Sequence, residues 1–336
     1  MFAFSLAVIW SAAGHKVFAA DAIIVDHRAA DITQIPQSAI EQAKATLHIA
    51  YGHTSHGSQL TTGMTGLVAF ANGGGLGLAL PRDIFAWNNG GSGGALDLHD
   101  TAMGGDVGYY PQWVNNTRNY LDNPAHADVN VIIWSWCGQV SAKYANGTLD
   151  SEYLTPMAQL ETEYPDVKFV YMTGHVDIWD DDDNKAANQT IRDFCTANGK
   201  ILYDFADIER YDPDGTYYAY VHDNCNYYDA NTTQLGNWAT EWQNSHTEGV
   251  DWYQCSSAHS EPLNANRKAY AAWWLWARLA GWTPSGVDPV DDVYPDSDGD
   301  AASGDSTADS GGSGGGCFFG MAGHGRGVRP KALQAF

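Results

Sequence analysis

At 336 residues, 44% of them hydrophobic, the chain can bury one full core and still carry appendages. Its formal net charge of −23 argues against nucleic acid or an anionic membrane surface as partner, because both need basic side chains to neutralise phosphates.

Residues 1–20 are apolar and close on the small residues VFAA, which reads as a secretory signal peptide, although the usual basic start is missing. The mature chain is then expected to begin near Ala20 or Asp21 and to be secreted or held at the cell surface. Amino-terminal sequencing of exported protein checks this, and an intact terminus would contradict it. No other stretch has the apolar length to span a bilayer.

Residues 21–285 read as the folded domain. Strand candidates are TLHIAYG, RDIFAW, VNVIIWSW, VKFVYMTG and KILYDFAD, rich in Val, Ile, Tyr and Phe and bounded by Gly, Asn or Asp. Amphipathic helical segments lie between them, such as YPQWVNNTRNYL, EYLTPMAQLETEY and NKAANQTIRDFCTANGK, and NANRKAYAAWWLWARLAGW forms a long last helix. Strand and helix in alternation predict an α/β fold, a three-layer sandwich around a central, mostly parallel sheet of about five strands.

In such sheets ligands bind beyond the carboxyl ends of the strands. There the expected strands end in GHTSHG, NNGGSGG, CGQVS and GHVD, each polar or glycine-rich. In isolation Ser55 reads as a turn or helix-cap serine, and His259, in the loop before the last helix, as an ordinary loop histidine. Their convergence on one rim is what suggests chemistry. A serine at a strand end can attack an ester if an imidazole takes its proton and backbone amides hold the oxyanion.

This set resembles the SGNH, or GDSL-type, hydrolase superfamily in order, spacing and strand context over roughly Ala45 to Trp282. The resemblance implies a flavodoxin-like architecture and a serine esterase, with an acyl ester on a small molecule or carbohydrate as substrate and no metal or other cofactor. Gly52, His53, Thr54 and Ser55 stand where the family has Gly-Asp-Ser, so Ser55 is the expected nucleophile and Thr54 the fallback. His259 is the expected base. Gly93, beside Asn89 in NNGGSGG, and Gln139, in place of the family's Asn, are the expected oxyanion donors. Ser256 replaces the family's Asp three residues before the histidine, so either Asp251 supplies the acid or a serine and histidine dyad operates. His53, His56, His175 and Asp177 would support substrate or nucleophile, unless His56 is simply exposed on the turn.

Two other classes remain open. His53 and His56 form an H-x-x-H pair which, with His175 and Asp177, could bind zinc as a metal-dependent hydrolase does. The missing Asp also fits a non-catalytic surface or carbohydrate-binding protein that kept the fold. A tryptophan cluster at Trp238, Trp242 and Trp252 is a candidate sugar platform, whereas Trp273, Trp274 and Trp276 read as core. The run DIWDDDDNK reads as an exposed acidic loop entering a helix, not a calcium site.

Of five cysteines, Cys225 and Cys255 flank a loop-like segment and are the expected disulfide, while Cys137 reads as a buried thiol. Residues 286–316 form an acidic linker rich in Gly, Ser and Asp, in which DSDGD lacks the downstream Glu of a calcium loop. Residues 317–336, led by Cys317, resemble the tails that sort or anchor some exported bacterial proteins.

Overall fold

The computed structural model describes residues 21–284, so the expected signal peptide, acidic linker and Cys317-led tail lie outside the described residues. In chain order the strands are β1 (Ile23–Val25), β2 (His48–Gly52), β3 (Trp87–Asn88), β4 (Leu96–Met103), β5 (Val131–Trp134), β6 (Lys168–Met172), β7 (Ile201–Tyr203), β8 (Asn226–Tyr228) and β9 (Gln234–Asn237). The helices are α1 (Gln37–Thr46), α2 (Ser58–Asn72), α3 (Gln112–Leu121), α4 (Val140–Ala145), α5 (Thr155–Glu163), α6 (Asp181–Ala197), α7 (Phe205–Ile208), α8 (Trp238–Ser245) and α9 (Pro262–Leu279).

Strands β1 to β7 form one sheet in the order β1-β7-β6-β5-β2-β4-β3, with every neighbouring pair parallel. Its two faces separate by alternation along each strand. Ile49, Tyr51, Val131, Ile133, Val170 and Met172 join the core under α1, α2 and α9. Ala50, Ile132, Trp134, Phe169, Tyr171 and Leu202 join a second core under α3, α5 and α6. Strands covered on both faces must be apolar throughout, which is why VIIW of β5 is buried at all four positions. Trp273, Trp274 and Trp276 pack in the first core, as the sequence predicts. Helices α2 and α9 cross closely at Gly63, where a Cβ would overlap the carbonyl of Ala265. The acidic run opens α6, with Asp181, Asp182 and Asp183 in its first turn against the helix dipole. Among the described residues no helix is long and apolar enough to cross a membrane.

Three expectations need correction. RDIFAW yields only the two-residue edge strand β3, and the long second strand is LDLHDTAM, β4. Polar residues interrupt it, and Asp100 and Thr101 are exposed, so it carries no apolar run to announce it. Cys225 and Cys255 are not bridged: the Cys225 Sγ contacts Ser260 Oγ at 3.2 Å, while Cys255 Sγ receives Asn266 Nδ2 at 3.4 Å. Each thiol has its own partner, and burial pushes both upward, to about 12 and about 11. Nor is there a tryptophan platform. Trp238 and Trp252 are buried in a satellite cluster with Val176 and Leu263, and Trp242 stacks on His246 at 3.6 Å.

Candidate active site

The chain leaves β2 for the α1–α2–α9 face, while its neighbours β4 and β5 send theirs to the opposite face. The sheet therefore opens beyond the carboxyl end of β2, where GHTSHG begins. Both glycines of that stretch are enforced by contact: a Cβ on Gly52 would overlap the Trp134 ring, and one on Gly57 would overlap Ser135 Oγ and His53 Cβ.

Thr54 and Ser55 have different surroundings. Thr54 Oγ1 donates to Asp106 Oδ2 at 3.0 Å, and Asp106 also accepts from the Gly108 amide at 3.0 Å. Burial raises the Asp106 carboxyl above its ordinary range, against the bonds from Thr54, Gly108 and Gln139. Among the described residues Ser55 Oγ has Cys137 Sγ, at 3.9 Å, as its one hydrogen-bond contact, and its backbone carbonyl starts the turn into α2 by accepting from Ser58. Of the two hydroxyls, that of Ser55 is the uncommitted one.

His56 is the centre of the site. Its ring is stacked between His175, at 4.0 Å, and His259, at 4.4 Å. Its Nε2 meets Asp223 Oδ2 at 2.9 Å and its Nδ1 lies 3.4 Å from Cys137 Sγ. Burial, then the neighbouring His175, lower His56 from 6.5 to about 3, against the pull of Asp223. Burial alone would raise Asp223, but the bond from His56 and the nearby His175 and His222 hold it down at about 2. The pair is thus a neutral imidazole donating through Nε2 to a carboxylate. That leaves Nδ1 as the acceptor nitrogen. His175 is oriented by its own Nδ1, 2.8 Å from Val176 O.

This pair makes stability depend on pH with a definite sign. The unfolded chain binds a proton at His56 below about 6.5 and the folded chain does not until about 3, so stability is full above 6.5 and falls as pH drops through that window. The slope from this group is at most about 1.4 kcal/mol per pH unit. Urea unfolding from pH 7 to pH 4 should show the loss in native protein and a flatter profile in His56→Gln.

The remaining predicted residues are placed as follows. His259 is exposed, with φ +63 in the left-handed region, a conformation that costs energy for a residue with a side chain. Its ring reaches the rim through the stack on His56. His53 sits beside the rim as a strut, with Nε2 2.7 Å from Asp100 Oδ1 and Nδ1 2.9 Å from Thr54 O. Asp177 is one step outside, 3.5 Å from His222 Nδ1 and accepting from the Trp179 amide. Gln139 Oε1 accepts from the Cys137 amide at 3.1 Å and its side chain bonds Asp106, so it braces the Thr54 and Asp106 clamp.

Gly93, Asn89 and Asp251 are elsewhere. In the sheet Asn88 pairs with Asp97, and Asp97 with His48, so the loop of Asn89 and Gly93 lies level with the start of β2 and not with its end. That loop is tied there by the Gly90 amide on Asp97 Oδ1, at 2.6 Å. The glycines that follow β4 at the height of Gly52 are Gly104 and Gly105. Asp251 closes a turn by accepting from the Thr247 amide at 2.8 Å. The carboxylate in the site is Asp223, 167 residues from His56 and preceding β8. It sits in an irregular excursion with no periodicity or motif to mark it; HDN beside a cysteine was the only local signal.

The chain matches no family model, no curated protein and no solved structure.

Proposed function

We propose that this protein is an exported serine esterase of the SGNH type, acting on an acyl ester, with Ser55 as nucleophile. One observation carries the reading: the uncommitted hydroxyl of Ser55 lies at the crevice beyond β2, where His175 and His259 stack on His56 and His56 bonds Asp223. The five inner strands support it, since numbered by chain order β4-β2-β5-β6-β7 run 2-1-3-4-5, the flavodoxin-like order.

In this mechanism Ser55 Oγ attacks the ester carbonyl and His259 takes its proton, then returns it to the leaving alcohol. Asp223 supplies the negative charge that the family's missing Asp would give. It acts through the neutral His56 ring, which lies against the His259 face and fixes where a developing imidazolium sits. The Ser55 amide and the amide of Gly105, after β4, are the oxyanion donors in place of Gly93. Incubation with a serine-directed phosphonate, followed by peptide mapping, should place the label on Ser55. A label elsewhere, or no turnover of nitrophenyl acetate, would refute the reading.

A second reading rests on a separate observation. One ligand atom each from His56, His175 and Asp223 lies within 4.8 Å of the others, so at this rim these three, not His53 and Asp177, are grouped as a metal site requires; Asp26, His27 and Asp207, and His48, Asp97 and Asp128, form like groups elsewhere. Exhaustive chelation decides between the two. For a serine esterase turnover is unchanged, whereas loss restored by added zinc supports the metal-dependent hydrolase.

A further inference from the structure

Away from the rim, Arg267 on α9 is in an unusual position for a charged side chain. It is 4% exposed, yet among the described residues it donates no hydrogen bond and forms no ion pair, and its Nε is buried without a partner. The acids that act on it are committed elsewhere. Asp207 holds His27 through both the ring and the amide, and Asp212 accepts from Asp214, Thr216 and Tyr218. Burial lowers the guanidinium only to about 10, so it is charged at neutral pH. Asp212 and Asp207 offset its charge through space, but its buried Nε donor is left without an acceptor, which is costly unless something meets it.

Arg267 lines a cleft of about 200 Å³. Next to it stands Tyr270, whose hydroxyl is also buried and unpartnered. The other walls include the Trp242 ring and Leu263, and the acids Asp31 and Asp251 border the space. Both acids are satisfied within their own turns, by Thr33 and Gln34 and by Thr247. A guanidinium and a phenol form a donor set for an anion; apolar walls want a hydrophobic body; two carboxylates disfavour a second negative charge. The volume admits a small molecule only.

We propose that this cleft binds a small organic monocarboxylate, with the carboxylate on Arg267 and Tyr270 and the apolar body against Trp242 and Leu263. The site is separate from the esterase reading and does not depend on it.

The test is calorimetric titration of the full chain with benzoate, its uncharged isostere benzamide, and inorganic phosphate. Benzoate should bind saturably at one site, and benzamide and phosphate at least about tenfold more weakly, since a charge-assisted pair is lost in one and the apolar contact in the other. Arg267→Met should abolish benzoate binding; it also takes away the charge that the buried Asp212 and Asp207 face, so its melting temperature should fall, and binding is compared at a temperature where the variant is folded. Trp242→Ala, at a partly buried position on the edge of the satellite cluster, gives a second variant that should fold and bind benzoate more weakly. No saturable binding, equal binding of benzamide or phosphate, or benzoate binding that survives Arg267→Met would overturn the proposal.

Discussion

Ser55→Ala should lower turnover of an acyl ester by roughly a thousandfold or more while leaving the melting temperature near that of the native protein. The nucleophile carries the covalent intermediate, so its loss removes the step, whereas its hydroxyl makes no hydrogen bond on which folding depends. Thr54→Ala should do the reverse in kind. It removes the donor to Asp106, at 3.0 Å, and should cost stability of about 1 kcal/mol with little change in chemistry. His259→Ala should resemble Ser55→Ala, and the double variant should be little worse than either single, because both serve one proton transfer. Steady-state kinetics with nitrophenyl acetate on the four variants and native protein checks this. Near-normal rates in Ser55→Ala with a dead Thr54→Ala would move the nucleophile by one residue, and full activity in both would remove acyl transfer from this strand end.

What the sequence made legible follows burial. β2, β5, β6 and β7 are buried on both faces and had to be written in Val, Ile, Tyr and Phe, so the strands and the polar turns after them could be read directly. β4 is exposed at Asp100 and Thr101 and reads as LDLHDTAM, so the sequence pattern substitutes the apolar RDIFAW for it. That one displacement moves the expected oxyanion glycine from the carboxyl edge of the sheet to the amino edge, because register in a parallel sheet fixes which end a loop occupies. Ser55 and His175 were legible because each lies within a few residues of a buried strand, whereas His56, which the turn suggested could be exposed, is buried against Asp223. Asp223 was not, because its position depends on an irregular excursion whose path is set by tertiary contacts such as the bond to His56.

Lys268→Ala should be the most destabilising single change in the domain, by about 3–5 kcal/mol in urea unfolding. Lys268 on α9 is fully buried and Glu209 nearly so, with Nζ 2.6 Å from Glu209 Oε1 and 3.7 Å from the Phe205 ring centroid. Burial lowers the lysine and Glu209 opposes that, so removing one partner strands the other charge in a dry interior. Replacing both, as in Lys268→Met with Glu209→Leu, should recover much of the loss, since no unpaired charge then remains. The pair also reaches the rim from three sides. Glu209 Oε2 accepts from the Val176 amide beside His175, and Asn264 links Glu209 to Ser260 beside His259. Lys268 also bonds Gln59 of α2, which donates to Ala258 O at 2.5 Å, three residues along from His56. A buried ion pair adds little net stability over apolar residues of like volume, so its value here is the fixed placement of three imidazole-bearing loops. The double variant should accordingly fold well yet turn over ester more slowly than native protein, through kcat and not KM. If the double variant is as unstable as the singles, the cost lies in packing and not in stranded charge, and if it is stable with native kcat, the pair does not position the rim.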